Sequence, residues 1–229
     1  MRSAPAQPFV TYYDEATGER TELSVKSLAN WVAKTHFLLI DELVLDPGPA
    51  AYVALPAHWL SIAPILACFT AGLCFTESPA DAEVAFVTAE TAASAAGVPD
   101  VFVLGSGITA AVGLGDAVPD GTSDYIGAVR PQPDKWPVVQ LQAGASDAAF
   151  SGRTRGELDS LAVQRAADIG LGAGGRLLCT CSWNGPGDWV DSLLAPLAVG
   201  GSVVFVHNAA DEAVLARRAE QERTTARCP

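Results

Sequence analysis

A helix–strand–helix–strand block occurs twice in this chain and limits the fold more than any other feature. In the first copy a helix running to Leu43 leads through Leu45-Asp46-Pro47-Gly48 into an apolar strand over residues 52–55. Trp59 follows, then a helix carrying Ala63-Pro64-Ile65-Leu66, a stop at Ala71-Gly72 and a strand over 73–76. The second copy keeps the order. Leu171-Gly172-Ala173-Gly174-Gly175 precedes a strand over 177–181, then Trp189, Ala195-Pro196-Leu197, the stop Val199-Gly200-Gly201 and a strand over 202–206. The registers differ by a few residues, so the likeness is architectural. Short connections in such a unit demand parallel strands buried between helices. The expected fold is α/β: two related α/β/α subdomains with largely parallel sheets, one over residues 1–136 and one over 137–229.

Composition agrees with a buried scaffold and excludes some partners. Apolar residues make up 49% and charged residues 17%, enough for a sizeable core. Acidic residues outnumber basic ones 26 to 14, for a formal net charge of −12. Such a surface repels phosphate backbones and anionic lipid, so neither nucleic acid nor a membrane surface is expected as a partner. Arg217, Arg218, Arg223 and Arg227 are interleaved with Glu220 and Glu222 and read as a solvated helix face. Five cysteines, an odd number with no C-x-x-C pair, read as small buried hydrophobes in a reducing compartment. No apolar leader follows Met1. Residues 47–76 lack charge, but Pro56, Pro64 and Gly72 break them, and the longest helical piece, 59–71, is too short to cross a bilayer. A cytoplasmic location is expected.

Local signals place the remaining elements. Residues 9–13 and 21–23 flank a turn at Asp14–Gly18 and read as a hairpin. Ser24 caps a helix whose apolar face includes Leu28, Trp31, Val32, Leu38 and Leu39. Strands are expected over 83–88 and 101–104, with a short helix over 89–96. Residues 105–136, rich in Gly, Pro and Asp, read as an irregular crossover, and 137–141 as extended. Thr154 and Glu157 form a capping-box signature opening a helix. A terminal helix is expected over 210–222, with 224–229 frayed.

Several stretches invite a chemical reading. Gly105-Ser106-Gly107-Ile108-Thr109-Ala110 after a strand fits G-x-G-x-x-A, the turn that holds a dinucleotide pyrophosphate. The following helix is cut short by Gly113, and no acidic strand end appears about twenty residues on, so a small-residue turn is the better reading. Ser151, Gly152, Thr154, Arg155 and Gly156 form a small hydroxyl-bearing loop entering a helix, where amides can meet an anion; a capped helix start without ligand explains the same residues. Trp183, Asn184 and Asp188 lie in a polar loop at the carboxyl end of a strand, where α/β sheets seat ligands. His36, His58 and His207 show no metal-ligand spacing, and G-x-S-x-G is absent, so neither a metal site nor a hydrolase elbow is expected.

Together these residues carry a resemblance. Thr21-Glu22-Leu23-Ser24, Ala29-Asn30, Leu45–Gly48, Val53-Ala54-Leu55-Pro56 and Ala67-Cys68-Phe69-Thr70-Ala71-Gly72 are similar to the start of the acyl-adenylate-forming enzymes, the AMP-binding synthetases and ligases. Leu171–Arg176, Leu193–Leu197 and Gly200–Val204 resemble a later part of the same enzymes. The resemblance implies the two-subdomain fold of their N-terminal part. It also implies that Gly152, Arg155 and Gly156 stand where that family's phosphate loop has Gly, Lys and Gly. The hydroxyl- and glycine-rich run before them is replaced here by Ala145-Ser146-Asp147-Ala148-Ala149, and the family's later catalytic motifs do not arrive. The expectation is a truncated relative, a pseudoenzyme without adenylation activity by itself, which binds a small molecule or a protein partner and has no catalytic residue. ATP or AMP is the cofactor the resemblance offers, held by the degenerate loop. One alternative is an enzyme that keeps nucleotide binding and is completed by another chain; a second is the structural subunit of a homo-oligomer.

Overall fold

The computed structural model describes residues 4–134 and 144–228; the extended stretch expected over 137–141 lies outside them. The hairpin forms as expected, with β1 (Pro8–Asp14) antiparallel to β2 (Glu19–Ser24). The Ser24 side chain accepts the Ser27 amide at 3.1 Å and starts α1 (Val25–Phe37), which continues into one π-helical turn, Leu38–Glu42. The first block is β3 (Ala50–Ala54), α2 (Ile62–Ala71) and β4 (Cys74–Thr76). Gly72 ends α2 at φ +82°, and a Cβ there would sit 2.8 Å from the Pro47 side chain. Dihedral and space both require glycine at that stop. Then follow β5 (Ala82–Val87), β6 (Asp100–Val103), α3 (Ile108–Val112), β7 (Ser123–Asp124) and α4 (Tyr125–Val129).

The second half opens with a small hairpin, β8 (Ala148–Phe150) and β9 (Arg153–Thr154), and α5 (Arg155–Asp168). Both arms of the expected capping box are present at Thr154 and Glu157. The second block is β10 (Arg176–Cys179), a π-helical turn at Val190–Leu194, α6 (Ala195–Ala198) and β11 (Ser202–His207). The chain then forms α7 (Glu212–Glu222) and β12 (Ala226–Cys228).

Two five-stranded sheets result. The first has the order β12-β10-β11-β1-β2, parallel except for the β1–β2 pair; the second, β4-β3-β5-β6-β7, is parallel throughout. Helices α1, α2 and α5 lie between them in one core. Phe9, Val203 and Phe205 of the first sheet share it with Val84, Phe86 and Phe102 of the second, around Leu28, Val32, Ile62, Ile65 and Leu158. The alternate residues face outward: Ala85, Val87, Val101 and Val103 beneath the 92–95 turn, and Val204 and Val206 beneath Leu215 of α7. Both faces of each central strand are covered. Near-continuous apolar runs are what such strands need.

Four expectations change. The hairpin at residues 8–24 does not belong with the first block, because β1 pairs in parallel with β11, Val10 opposite Val203 and Asp14 opposite His207. A boundary at 136/137 therefore cuts across the first sheet. The crossover expected over 105–136 is organised in its described part, 105–134: β7 adds an edge to the second sheet, and the Asp124 carboxylate caps α4, whose Tyr125 and Ile126 are buried. Elements of two to five residues leave no periodicity to read. Residues 92–95 form a single 3₁₀ turn instead of a helix over 89–96. Finally, 226–228 do not fray: they pair in parallel with β10. Among the described residues, no helix is long and apolar enough to cross a membrane.

Candidate functional site

Because the second sheet is parallel, its strands deliver all their carboxyl ends to one side, and a cleft of about 750 Å³ opens there. Leu55 and Pro56 enter it after β3, Thr76 at the end of β4 and Glu77 just past it, Thr88–Thr91 after β5, and Leu104–Ser106 after β6. The far wall comes from the other half of the chain, where Trp183, Asn184, Gly185 and Pro186 follow β10. Hydrogen bonds fix its rim. Thr91 Oγ1 donates to the Ala54 carbonyl at 2.9 Å and accepts the Thr88 amide at 2.9 Å, and Tyr52 donates to Ser94 at 3.1 Å.

The Trp183 wall is rigid for identifiable reasons. Its indole Nε1 donates to Ser192 Oγ at 2.8 Å, and Ser192 in turn donates to the Asp188 carbonyl at 2.6 Å. Asp188 also accepts the Asn184 amide at 2.7 Å, closing the turn. Beneath lies Trp189, packed edge-on to Phe75 at 4.8 Å, Phe150 at 6.1 Å and Trp183 at 6.4 Å between ring centroids. Of the three residues expected in this loop, Trp183 and Asn184 line the cleft, and Asp188 braces the turn behind them.

The cleft carries carboxylates and no Lys or Arg among its described lining. A hydrogen bond from Thr88, together with its own backbone amide, holds the Glu90 carboxyl below its usual range, so it is anionic at neutral pH. Glu77 lies across the gap, within 4 Å of the position a Cβ on Gly185 would take. Gly105, Ser106 and Thr109 of the G-x-G-x-x-A stretch line the cleft as well, but α3 has only five residues and is stopped by Gly113 at φ +95°. Sequence reasoning missed Tyr52, Glu77, Thr88, Glu90 and Thr91. The signal that marks them is position: most follow directly after expected strand ends.

The other expected loop is built differently. Ser151 and Gly152 are the exposed tip of the β8–β9 hairpin, with φ of +52° and +71°, the geometry of a tight two-residue turn. Three amides at the helix start already have acceptors. The Arg155 amide donates to the Asp147 carbonyl at 3.0 Å, Gly156 to Ala145 at 2.9 Å, and Thr154 to the Glu157 carboxylate at 2.7 Å. The Arg155 side chain turns away from that tip. It is buried, and its two terminal nitrogens donate to the carbonyls of Phe69 and Leu73, each at 2.7 Å, at the end of α2. It borders a second, mostly apolar cavity of about 820 Å³ between α1, α2, α5 and α6. Ser151–Gly156 and Trp183–Asp188 therefore do not share one cleft.

The fold also gathers two histidines that their sequence separation hides. The rings of His58 and His207 flank Tyr12 at centroid distances of 4.5 and 5.4 Å, at the carboxyl ends of β1 and β11. His58 Nδ1 accepts the Leu60 amide at 3.2 Å, so the ring proton sits on Nε2, 3.7 Å from Glu19. The same Glu19 oxygen already accepts from Trp59 Nε1 at 3.2 Å. Burial, with a smaller contribution from His207, lowers the His58 pKa to about 4 against the pull of Asp14. A depressed histidine pKa means that the unfolded chain binds more protons between pH 4 and 6.5, so stability rises with pH through that window. Urea midpoints should climb from pH 4 to 6.5, and His58→Asn, which keeps an acceptor for Leu60, should flatten much of the climb. An unchanged slope in that variant would assign the acid sensitivity elsewhere. Among the described residues, no group of three or more His, Cys, Asp or Glu is arranged to hold a metal ion.

No family model matches the chain. A protein of Mycobacterium tuberculosis (strain ATCC 25618 / H37Rv), described as a TIGR03089 family protein, is 40% identical over 233 residues, which cover 98% of this chain and 93% of that protein. Among solved structures, the acyl-CoA synthetase of Brucella canis superposes with a TM-score of 0.77 at 15% identity, over 99% of this chain and 45% of its own. The acetoacetyl-CoA synthetase of Streptomyces lividans gives 0.74 at 19% identity, over 96% and 39%. The anthranilate CoA ligase AuaEII, in complex with anthranoyl-AMP, gives 0.69 at 14% identity, over 96% and 46%. At these identities the likeness is one of fold, and the chain spans less than half the length of each of those structures.

Proposed function

The chain belongs to the TIGR03089 family, and from that premise we propose that it is a small-ligand-binding protein on an acyl-CoA-synthetase-like fold, with no adenylation activity by itself. The observation that carries this reading is the chemistry of the strand-end cleft, which has aromatic walls, hydroxyl and carboxylate edges, and no Lys or Arg among its described lining. An adenylating site must neutralise a triphosphate and hold an acyl carboxylate in line with it. Glu77 and Glu90 repel both groups. The cleft's size and walls suit an uncharged or cationic organic molecule with an aromatic or branched apolar body. The degenerate loop supports the same conclusion, since its Arg155, Gly156 and Thr154 amides are satisfied within the chain.

Isothermal titration with probes sharing one aromatic body tests this reading: tryptamine, 3-methylindole and indole-3-propionate, beside Mg-ATP. Heat from the amine or the neutral indole, with none from the acid or from Mg-ATP, is the expected pattern. Glu77→Gln combined with Glu90→Gln should weaken the amine and leave 3-methylindole unchanged. Robust ATP–pyrophosphate exchange by the pure protein with mixed fatty and aryl acids would overturn the proposal.

A further inference from the structure

Three of the five cysteines meet at one point, although residue 228 lies far along the chain from 179 and 181. Cys179 ends β10 and is fully buried, and Cys181, two residues on, is half-buried. Their sulfurs are 2.8 Å apart. Cys228 ends β12 and stands in register opposite Cys179 on the neighbouring parallel strand, with its thiol within hydrogen-bonding reach of both others. Neighbouring strands run about 4.8 Å apart, inside the Cα separation of about 4.4–6.8 Å that a disulfide accepts. The other two thiols are remote from this trio in role: Cys68 is buried within α2, and Cys74 donates to the Gly48 carbonyl at 3.2 Å. All five are free thiols.

We propose that Cys179, Cys181 and Cys228 form an oxidisable thiol trio, which takes up one intramolecular disulfide on meeting a low-molecular-weight disulfide, with Cys181 as the entry thiol. Cys181 has that role because it alone of the three is not buried. As the thiolate it attacks one sulfur of the small disulfide; a protein–small-molecule S–S bond forms, the original S–S bond breaks, and one small thiolate leaves and takes up the proton. Cys179, already in contact, then attacks the Cys181 sulfur, forms the internal bond and expels the second small thiol. Two protein thiols are oxidised and one small disulfide is reduced to two thiols, so atoms and electrons balance. Cys228 stays beside the new bond as a thiol able to exchange with it. The bond closes two residues before Trp183, the wall of the cleft, so the oxidation state of the trio bears directly on that wall.

The test uses the fully reduced wild-type protein incubated with oxidised glutathione, then unfolded, alkylated with iodoacetamide and mapped by mass spectrometry. The expected product is a monomer with one disulfide inside the trio, three alkylated cysteines including Cys68 and Cys74, and no retained glutathione. Cys181→Ser should slow its formation at least tenfold, and Cys228→Ser should leave a Cys179–Cys181 bond. Five alkylated cysteines, a persistent glutathione adduct, a bond to Cys68 or Cys74, or an intermolecular dimer would each overturn the proposal. The wild-type map decides without recourse to a variant's folding.

Discussion

Replacing Arg155 with alanine is expected to cost about 3 kcal/mol of stability and to leave any affinity for ATP where it was. Arg155 is 9% exposed, and its guanidinium meets the Phe69 and Leu73 carbonyls at 2.7 Å each, with its centre 5.4 Å from the Phe69 ring centroid. Carbonyls at a helix end lack intrahelical partners and lie at the negative end of the helix dipole, so a cation there is doubly favoured. Alanine would strand two acceptors in the interior, each at roughly 1–3 kcal/mol. Burial holds the Arg155 pKa below its usual value, with Asp147 pulling the other way; its charge is already committed to the scaffold. Lysine has no planar fork and should recover less than half of the loss. Urea unfolding read beside ATP titration checks both halves. A near-neutral stability change, or ATP binding that depends on Arg155, would return this residue to the phosphate-loop role its sequence position suggests.

Trp189→Ala should have the larger effect, about 4 kcal/mol by the precedent of large-to-small core substitutions. Trp189 is 1% exposed and joins three separate pieces of chain: Phe75 from β4, Phe150 from β8 and Trp183 from the cleft wall. Removing it takes a large buried area and three edge-on ring contacts together. The cavity left behind opens under Trp183, so ligand binding in the cleft should fall along with stability. Trp189→Phe should restore most of the stability and part of the binding. A loss below about 1 kcal/mol in the alanine variant would show that the aromatic cluster does not hold the two halves together.

Legibility followed the range of the interaction. The caps at Ser24 and Thr154 were readable because each bond closes within three residues. The stops at Gly72 and Gly200 were readable because a left-handed dihedral is a local demand, with φ of +82° and +65°. The loop carrying Trp183 and Asn184 was found from its place after a strand. Glu77 and Glu90 were not: a place just past a strand end shows which residues reach the sheet's carboxyl edge, and not which of them turn into a cleft rather than to solvent. The pairing of β12 with β10 was hidden in the same way, since Ala226-Arg227-Cys228 has no strand-like pattern until Leu177–Cys179 lies beside it.

By itself, then, the sequence determined the doubled helix–strand–helix–strand order, the parallel sheets and the approximate position of most elements. Those depend on periodicity and on turn chemistry within a few residues. Only the tertiary structure decided that the N-terminal hairpin completes the other half's sheet, that Cys228 joins the distant pair Cys179 and Cys181, and that Arg155 holds a helix end. A buried cation bonds to whatever acceptors the fold brings near it, and here those acceptors lie 82 and 86 residues away along the chain.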